Sequence, residues 1–178
     1  MINETVVVFG ASGFLGSHVA DALTAAGYRV RLFDRSPSPY LQSNQEMIIG
    51  DIMNLDQAIE AAKGASIVYN FAAIADIDEA HNKPIPTATI NVLGNMHALE
   101  AARIAGARRF VFASSVYVYS ESGSFYRASK QAAERFTETY HERYGLDYNI
   151  LRYGSLYGRR ADKRNGIYRM LHEAVAHH

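Results

Sequence analysis

A run of apolar residues that gives way to evenly spaced glycines is the feature that most restricts how this chain can fold. Residues 6–9 are Val-Val-Val-Phe, the pattern of a strand buried on both faces. Of the glycines that follow, Gly10 allows a tight turn, Gly13 leaves room for a pyrophosphate, and Gly16 lets the next helix approach the sheet. Because a helix predicted at residues 14–26 directs unpaired N–H groups into this loop, we expect a dinucleotide there. A glycine-rich turn without a ligand is the alternative.

An acidic residue ends the second predicted strand, residues 28–34. Asp34 lies 18 residues after Gly16, close to the spacing of roughly 20 residues expected for a carboxylate that accepts a hydrogen bond from an adenosine ribose. A carboxylate at this place repels the 2′-phosphate of NADP, so the loop is predicted to prefer NAD. Arg35, the next residue, could weaken that preference.

The composition narrows the classes of partner. Eighteen basic and 18 acidic side chains cancel in a chain of 178 residues, so we expect neither a nucleic-acid polymer nor an acidic lipid surface as a partner. The chain contains no cysteine, which excludes disulfides and thiolate chemistry and suits a protein of the cytoplasm. Without a leader pattern or an apolar run of about 18 residues, we expect neither secretion nor a membrane span. His177 and His178 resemble part of a purification tag.

Strand and helix patterns alternate along the rest of the chain. Further strands are predicted at residues 46–52, 66–73, 109–115 and 147–154, and helices at residues 55–62, 87–105, 126–144 and 166–176, with a surface connection at 76–86. This alternation indicates an α/β fold, a doubly wound parallel sheet with helices on both faces, here as one domain over residues 1–178. Ligands bind such sheets at the carboxyl ends of the strands. The candidate residues at those ends are Gly10, Asp34, Asp51, Ala73 and Ser115.

Two of the less distinctive positions keep two interpretations each. Asp51 and Ile52 follow the third strand and could flank an adenine ring, or they could form an ordinary Asp turn. Asn91 falls in the apolar face of the helix at 87–105, where a buried asparagine is either a packing residue or one that orders the active site.

Ser115, Tyr126 and Lys130 are the residues with catalytic potential. Tyr126 and Lys130 are four residues apart on a predicted helix, so their side chains lie on one face. A neighbouring ammonium group together with a cationic nicotinamide would lower the pKa of the phenol, which could then take the hydroxyl proton while a hydride leaves the same carbinol group. Ser115, at the end of the neighbouring strand, could hold that hydroxyl. The alternative is that the tyrosine and the lysine are only the exposed first turn of a helix.

Taken in order, these motifs resemble the NAD-dependent epimerase/dehydratase family, the extended short-chain dehydrogenases/reductases that act on nucleotide-sugars. Residues 151–159 are also similar to the family's segment after the sixth strand. The resemblance implies a Rossmann-like fold, NAD as cofactor, a nucleotide-sugar substrate of the UDP-sugar type, no metal site, and Ser115, Tyr126 and Lys130 as catalytic residues. The cofactor site that it implies consists of Gly10, Ser12, Gly13, Phe14, Leu15, Gly16, Asp34, Arg35, Asp51, Ile52, Phe71, Ala72, Ala73, Tyr126 and Lys130.

One local difference separates the reactions of this family. Its sugar dehydratases carry an Asp-Glu pair directly after the catalytic hydroxyl residue, whereas this chain has Val116 and Tyr117 there. The resemblance therefore implies a 4-epimerase: hydride passes from the sugar C4 to tightly held NAD, the keto sugar rotates, and hydride returns to its other face. A reductase or dehydrogenase of the same fold and a non-catalytic dinucleotide-binding module are the alternatives.

Departures from the family's pattern concern the substrate. Only 11 residues separate Ser115 from Tyr126, which shortens a loop that borders the sugar site in the family. Ser155 and Arg159 replace an asparagine and a proline that are common in the family. Family members are much longer, so we expect their smaller C-terminal substrate domain to be largely missing here, as in a fragment or a natural short form.

The two longest predicted helices bear on the oligomeric state. The helices at 87–105 and 126–144 resemble the pair that forms a dimer interface in the family, which predicts a homodimer. Packing of both helices on the sheet alone is the alternative.

Overall fold

A sheet of six parallel strands forms the centre of the computed structural model, which describes residues 4–163 and 165–176. The strand order is β3-β2-β1-β4-β5-β6, where the strands are β1 (Thr5–Phe9), β2 (Arg29–Asp34), β3 (Glu46–Ile49), β4 (Ile67–Asn70), β5 (Arg109–Ser115) and β6 (Asp147–Tyr153). The helices are α1 (Phe14–Ala25), α2 (Leu55–Ala62), α3 (Ile77–Asn82), α4 (Pro84–Ala88), α5 (Gly94–Ile104), α6 (Ser124–Tyr144) and α7 (Gly166–Ala176). The predicted doubly wound α/β class is confirmed.

Alternation along β1 sends its side chains to the two faces of the sheet in turn. Val7 and Phe9 join the larger core, built with residues of α2, α5 and α6, and Phe9 meets Phe33 edge to face with 5.0 Å between ring centroids. Val8 packs on the opposite face with Ala20 of α1. The apolar residues of β1 are fully buried, as expected for a strand that is covered on both sides.

The strand order gathers the candidate site residues at one edge of the sheet. β1 and β4 are neighbours in the middle, and the chain winds outward from them in two directions. Because the strands are parallel, all their carboxyl ends lie at the same edge. Asp34 and Ser115 end β2 and β5, and Gly10, Asp51 and Ala73 follow β1, β3 and β4. The crevice between β1 and β4 is therefore the place where this class of fold binds ligands.

Most predicted bounds of helices and strands agree with the structure to within a few residues, and those of β5, α2 and α7 agree fully. The Asn54 side chain caps α2 by accepting a hydrogen bond from the amide of Gln57. Gly145 ends α6 in the left-handed conformation with a φ of +71°. In both cases the residue type at the helix end determines the boundary.

The stretch at 76–86 lies mostly at the surface, as predicted, but the prediction of a connection is wrong, since most of the stretch is helical. The Asp76 side chain caps α3 by accepting a hydrogen bond from the Glu79 amide at 2.8 Å. Pro84 opens α4, a position at which the missing N–H of proline costs nothing. The Asp76 cap and Pro84 are both signals for the start of a helix. These signals act on the adjacent residues and outweigh the polar composition of the stretch.

The single helix predicted at 87–105 is also corrected. It starts earlier, as α4, and a π-helical turn, Thr89–Leu93, joins α4 to α5. Such turns interrupt the regular hydrogen-bond ladder and often occur at functional sites. Asn91 lies inside this turn.

In the part of the chain that the structure describes, no helix combines the length and the apolar character needed to cross a membrane. His177 and His178, which resemble part of a tag, lie outside the described residues.

Candidate active site

The glycine loop has the geometry that its spacing predicts. Gly10 has a φ of +74°, and a Cβ there would lie 2.5 Å from the amide nitrogen of Ala72, so only glycine fits this turn. A Cβ at Gly16 would lie 2.3 Å from the carbonyl oxygen of Gly10, which shows how closely α1 approaches the loop. A Cβ at Gly13 would meet only that same oxygen, at 3.3 Å. The side of the loop at Gly13 is therefore open.

The first turn of α1 offers free hydrogen-bond donors to this open side. The first amide that bonds inward belongs to Ser17, which donates to the Gly13 carbonyl at 3.1 Å. No side chain among the described residues caps the helix, and its first turn holds no acidic residue. The amides of Phe14, Leu15 and Gly16 therefore face the loop, where the helix dipole also favours an anion.

Asp34 braces the loop from the end of β2. Its carboxylate accepts hydrogen bonds from the Ser12 amide at 3.0 Å and from the Ser36 amide at 3.4 Å, and the Ser12 hydroxyl donates to the Ser36 carbonyl at 2.7 Å. A carboxylate has about four acceptor positions, so Asp34 can accept further hydrogen bonds from a ligand. Arg35 is exposed beside it.

Asp51 and Ile52 have different surroundings in the structure. Asp51 forms an Asp turn, with its carboxylate accepting a hydrogen bond from the Met53 amide at 2.9 Å. The Ile52 side chain is buried in the core, where it packs close to Gly94 of α5. Most of the Ile52 side chain is therefore taken up by core contacts, and its place beside a ligand stays a prediction.

Buried asparagines tie the end of β4 to α6. Asn70 holds the Ala72 amide at 3.1 Å and donates to Asn95 at 2.9 Å, and Asn95 donates in turn to the Ala133 carbonyl of α6 at 3.4 Å. Phe71, Ala72 and Ala73 follow Asn70 and are half-buried. The segment predicted to lie beside the cofactor is thus held in register with the helix that carries Tyr126.

Asn91 has a comparable role. Its side chain accepts a hydrogen bond from the Ile74 amide at 2.7 Å and donates to the Ile74 carbonyl at 3.0 Å. It also donates to the hydroxyl of Ser129, which lies between Tyr126 and Lys130 in the sequence, at 3.0 Å. Asn91 is thus a satisfied packing residue that also fixes the first turns of α6.

Tyr126 and Lys130 are buried, so the interpretation as an exposed helix turn is wrong. Tyr126 is 9% exposed and Lys130 is 4% exposed. The Lys130 ammonium group donates to the Ala113 carbonyl at 2.7 Å and lies 4.9 Å from the ring centroid of Phe112 and 5.7 Å from that of Tyr126. Helix α6 thus brings both side chains against the end of β5, as the four-residue spacing predicts.

Burial is the largest influence on the pKa values of Lys130 and Tyr126. It lowers the pKa of Lys130 to about 8, and the nearby Glu134 carboxylate acts in the opposite direction. Burial also raises the pKa of Tyr126, an effect that the Ser115 hydroxyl opposes and the Tyr117 phenol reinforces. The predicted lowering of the tyrosine pKa is therefore not produced by Lys130, whose hydrogen bond goes to the backbone of β5.

Ser115 ends β5 as predicted and is 5% exposed. Its hydroxyl accepts a hydrogen bond from the Tyr117 amide at 3.3 Å and so caps the short 3-10 helix Val116–Tyr119. The Tyr117 ring stands edge to face with the Tyr126 ring, with 6.3 Å between centroids. An aromatic side chain therefore borders Tyr126 at a position where a dehydratase would carry an acid.

An ion pair that the sequence analysis missed, between the buried Glu134 and the partly exposed Arg152, lies one helical turn after Lys130. The Glu134 carboxylate accepts a hydrogen bond from the Ser114 hydroxyl at 2.5 Å and two from the Arg152 guanidinium, at 2.9 and 2.8 Å. Burial works to raise the pKa of Glu134, but the hydrogen bonds from Arg152 and Ser114 outweigh it and leave this pKa lowered. The sequence does contain a signal for Glu134, since it follows Lys130 at the same spacing of four residues by which Lys130 follows Tyr126. All three side chains therefore lie on one face of α6.

The comparisons with known proteins agree with this geometry. The model of the NAD-dependent epimerase/dehydratase family matches residues 6–178. A putative UDP-glucose 4-epimerase of Methanocaldococcus jannaschii is 32% identical, over an alignment that covers 89% of this chain and 58% of that protein.

Solved structures are similar over nearly the whole chain. The UDP-glucose 4-epimerase of Thermotoga maritima, solved with UDP-glucose, gives a TM-score of 0.87 at 26% identity and covers 95% of this chain and 62% of its own. The UDP-glucuronic acid 4-epimerase of Bacillus cereus, solved with NAD, gives a TM-score of 0.85 at 26% identity and covers 97% and 62%. The chain thus spans 58–62% of the length of these three relatives.

Proposed function

The chain belongs to the NAD-dependent epimerase/dehydratase family, and on this basis we propose that the protein is a nucleotide-sugar epimerase that transfers hydride at the sugar C4 through a keto intermediate. UDP-sugars are the substrate class that we propose, since the relatives above are UDP-sugar 4-epimerases. The observation that carries the proposal is the burial of Tyr126 and Lys130 together beside Ser115, at the edge where the glycine loop lies. A protein that only binds a dinucleotide has no need of this set.

The residues present fit NAD, the cofactor of the family. The loop is open at Gly13, where a pyrophosphate needs space, and the amides of residues 14–16 are free to donate to its oxygens. Asp34 keeps acceptor positions for ribose hydroxyls. When bound, NAD supplies the acceptor for the hydride. The residues that we propose to hold it are Gly10, Ser12, Gly13, Phe14, Leu15, Gly16, Asp34, Arg35, Asp51, Ile52, Phe71, Ala72, Ala73, Tyr126 and Lys130.

In the proposed reaction Tyr126 takes the proton of the substrate hydroxyl while hydride leaves the same carbon. Because burial raises the pKa of this phenol, the phenolate needs positive charge close by, and the protein supplies the Lys130 ammonium group 5.7 Å from the ring centroid. The Ser115 hydroxyl holds the substrate oxygen. When hydride returns to the other face of the keto sugar, Tyr126 gives the proton back, so the reaction has no net oxidation.

A measurement of bound nucleotide tests the cofactor site. We expect the purified protein to release NAD on denaturation, and Gly13→Val to release little. Valine at this position extends into the open side of the loop, and the only protein atom near its Cβ is the Gly10 carbonyl oxygen at 3.3 Å. Gly166→Val is the matched control, because a Cβ at Gly166 meets no protein atom within 4 Å. Equal nucleotide content in the wild type and Gly13→Val would contradict the site.

A second assay separates the epimerase from the alternatives. With UDP-glucose and NAD, an epimerase forms UDP-galactose without accumulating NADH, and Tyr126→Phe abolishes this. A dehydrogenase of the same fold would accumulate NADH in proportion to the sugar oxidised. A binding module would retain NAD but convert no sugar in the wild type.

The homodimer and a location in the cytoplasm stay predictions. Large apolar side chains on the outer surface of α5 and α6 support the homodimer: Ile104, Phe136 and Tyr144 are 37–54% exposed. Sedimentation of the wild type against Phe136→Glu tests it, since a charge in an apolar interface favours the monomer.

A further inference from the structure

A segment without helix or strand structure, residues 154–161, leaves the carboxyl end of β6 and ends against α1; we call it the strap. β6 is an edge strand, and β5 and β4 lie between it and β1. Neighbouring strands are about 4.8 Å apart, so the strap travels at least ~14 Å along the sheet edge to reach β1. The six residue-to-residue steps from Tyr153 to Arg159 span at most about 20 Å when extended. A strap of this length that joins the end of β6 to α1 has little slack, which favours a path past the crevice between β1 and β4.

Three contacts fasten the far end of the strap. The His18 side chain of α1 lies 2.8 Å, through Nε2, from the Arg159 carbonyl oxygen. The Arg160 guanidinium donates to the Asp21 carboxylate at 2.6 Å and lies 4.1 Å from the ring centroid of Tyr40, in the connection between β2 and β3. The side chains of Arg160 and Asp21 are 20% and 25% exposed, so solvent screens this ion pair less than one on the open surface.

Neighbouring residues orient both partners of the Asp21–Arg160 ion pair. The amide groups of Gln42 and Gln45 donate to the Asp21 carboxylate at 2.7 and 3.4 Å, which fixes its orientation. Arg160 has a φ of +69°, a conformation uncommon for a residue with a side chain and one that persists only where its surroundings hold it. A turn that starts at Gly158, with the Ala161 amide donating to the Gly158 carbonyl at 3.3 Å, directs Arg160 toward α1.

We propose that the Asp21–Arg160 ion pair is a latch that holds the strap along the crevice and so retains NAD after it has bound, an inference that rests on the proposed function. An epimerase must return hydride from the same cofactor that took it. Loss of the cofactor between the two transfers would leave the keto sugar without a hydride donor. A short strap fastened to α1, whose first turn flanks the glycine loop, meets this need. Asp21 and Arg160 are positioning residues in this account, since they act through the strap.

The rate at which bound NAD leaves the protein tests the latch. The wild type, Arg160→Ala, and the swapped pair Asp21→Arg with Arg160→Asp are loaded with the fluorescent analogue etheno-NAD and chased with excess NAD. We expect release from Arg160→Ala to be about 5–30 times faster, the range for loss of one partly buried ion pair with its ring contact. The swapped pair is expected to restore slow release, which a merely structural role for Arg160 would not predict.

Arg108→Ala is the matched control. Arg108 pairs with Glu4 at 2.9 Å and also joins distant parts of the sequence, but at the amino-terminal edge of the sheet. Its release rate should equal that of the wild type. Release from Arg160→Ala at the wild-type rate, or release from the swapped pair as fast as from Arg160→Ala, would overturn the latch alone. Failure of the wild type to bind NAD at all would overturn the proposed cofactor site as well.

Discussion

Replacement of Lys130 by methionine should make the protein more stable at pH 7 while it removes a group that we propose to be catalytic. Burial lowers the pKa of Lys130 from 10.5 to about 8, against the opposing effect of Glu134. Keeping this ammonium group charged in the folded protein at pH 7 therefore costs about 3 kcal/mol. Methionine has a similar length and no charge, but it leaves the Ala113 carbonyl without its donor, at a cost of about 1–2 kcal/mol. The expected net gain is about 1–2 kcal/mol, roughly 2–8 °C in melting temperature for a domain of this size.

The stability difference between Lys130→Met and the wild type should change with pH. Between pH 8 and 10.5 the unfolded wild type binds a proton that the folded wild type has lost, so the contribution of Lys130 to stability rises with pH across this window. The advantage of Lys130→Met should therefore shrink and then reverse as the pH approaches 10.5. Thermal unfolding of nucleotide-free protein, followed by circular dichroism at pH 7 and about pH 9.5, measures both effects. Lys63→Met, at an exposed lysine, serves as the control and should show neither effect. A variant that is less stable than the wild type at pH 7, or whose gain does not change with pH, would refute this reasoning.

Two further substitutions test the packing of the site. Gly16→Ala places a Cβ 2.3 Å from a backbone oxygen of the loop, so we expect a net loss of about 1–2 kcal/mol in unfolding free energy after the gain in helix propensity, together with weaker NAD binding. Gly166→Ala, also in a helix but with no atom within 4 Å of its Cβ, should lose no stability and should bind NAD like the wild type. Glu134→Gln keeps the shape of the side chain but leaves the partly exposed Arg152 guanidinium without a carboxylate, and we expect a loss of about 1–3 kcal/mol in thermal unfolding experiments. Wild-type stability in Glu134→Gln would show that the ion pair contributes little to the fold.

The geometry of the glycine loop and of the Tyr126–Lys130 pair is predictable from the sequence because it is local. Three glycines at fixed spacing determine a turn and a close helix approach, and a spacing of four places Tyr126 and Lys130 on one helix face. The environment of Lys130 is not local, because its burial depends on Phe112 and Ala113 of β5, which pack against α6 only in the folded sheet. The sequence therefore predicts which groups meet but not the pKa values that they acquire.

Longer-range features are harder to predict for the same reason. The spacing of four residues points to Glu134 on α6, but its partner Arg152 comes from β6. The latch joins Asp21 and Arg160, 139 residues apart, and no local pattern marks either residue. The Asp76 cap, in contrast, was a local signal that the polar composition of its surroundings obscured.

The strand order also affects how the chain folds as it leaves the ribosome. β1 is made first and lies in the middle of the finished sheet, yet one of its two partners is β4, with Val6 paired to Ile67. The face of β1 that carries Phe9 is covered later still, because it packs in the same core cluster as Leu99 of α5, which is synthesised after β4. A nascent chain that has emerged only through β3 therefore presents an apolar, unpaired strand edge, the kind of surface that chaperones bind and that pairs wrongly with other chains. The most protected strand of the folded protein is thus the most vulnerable one during synthesis.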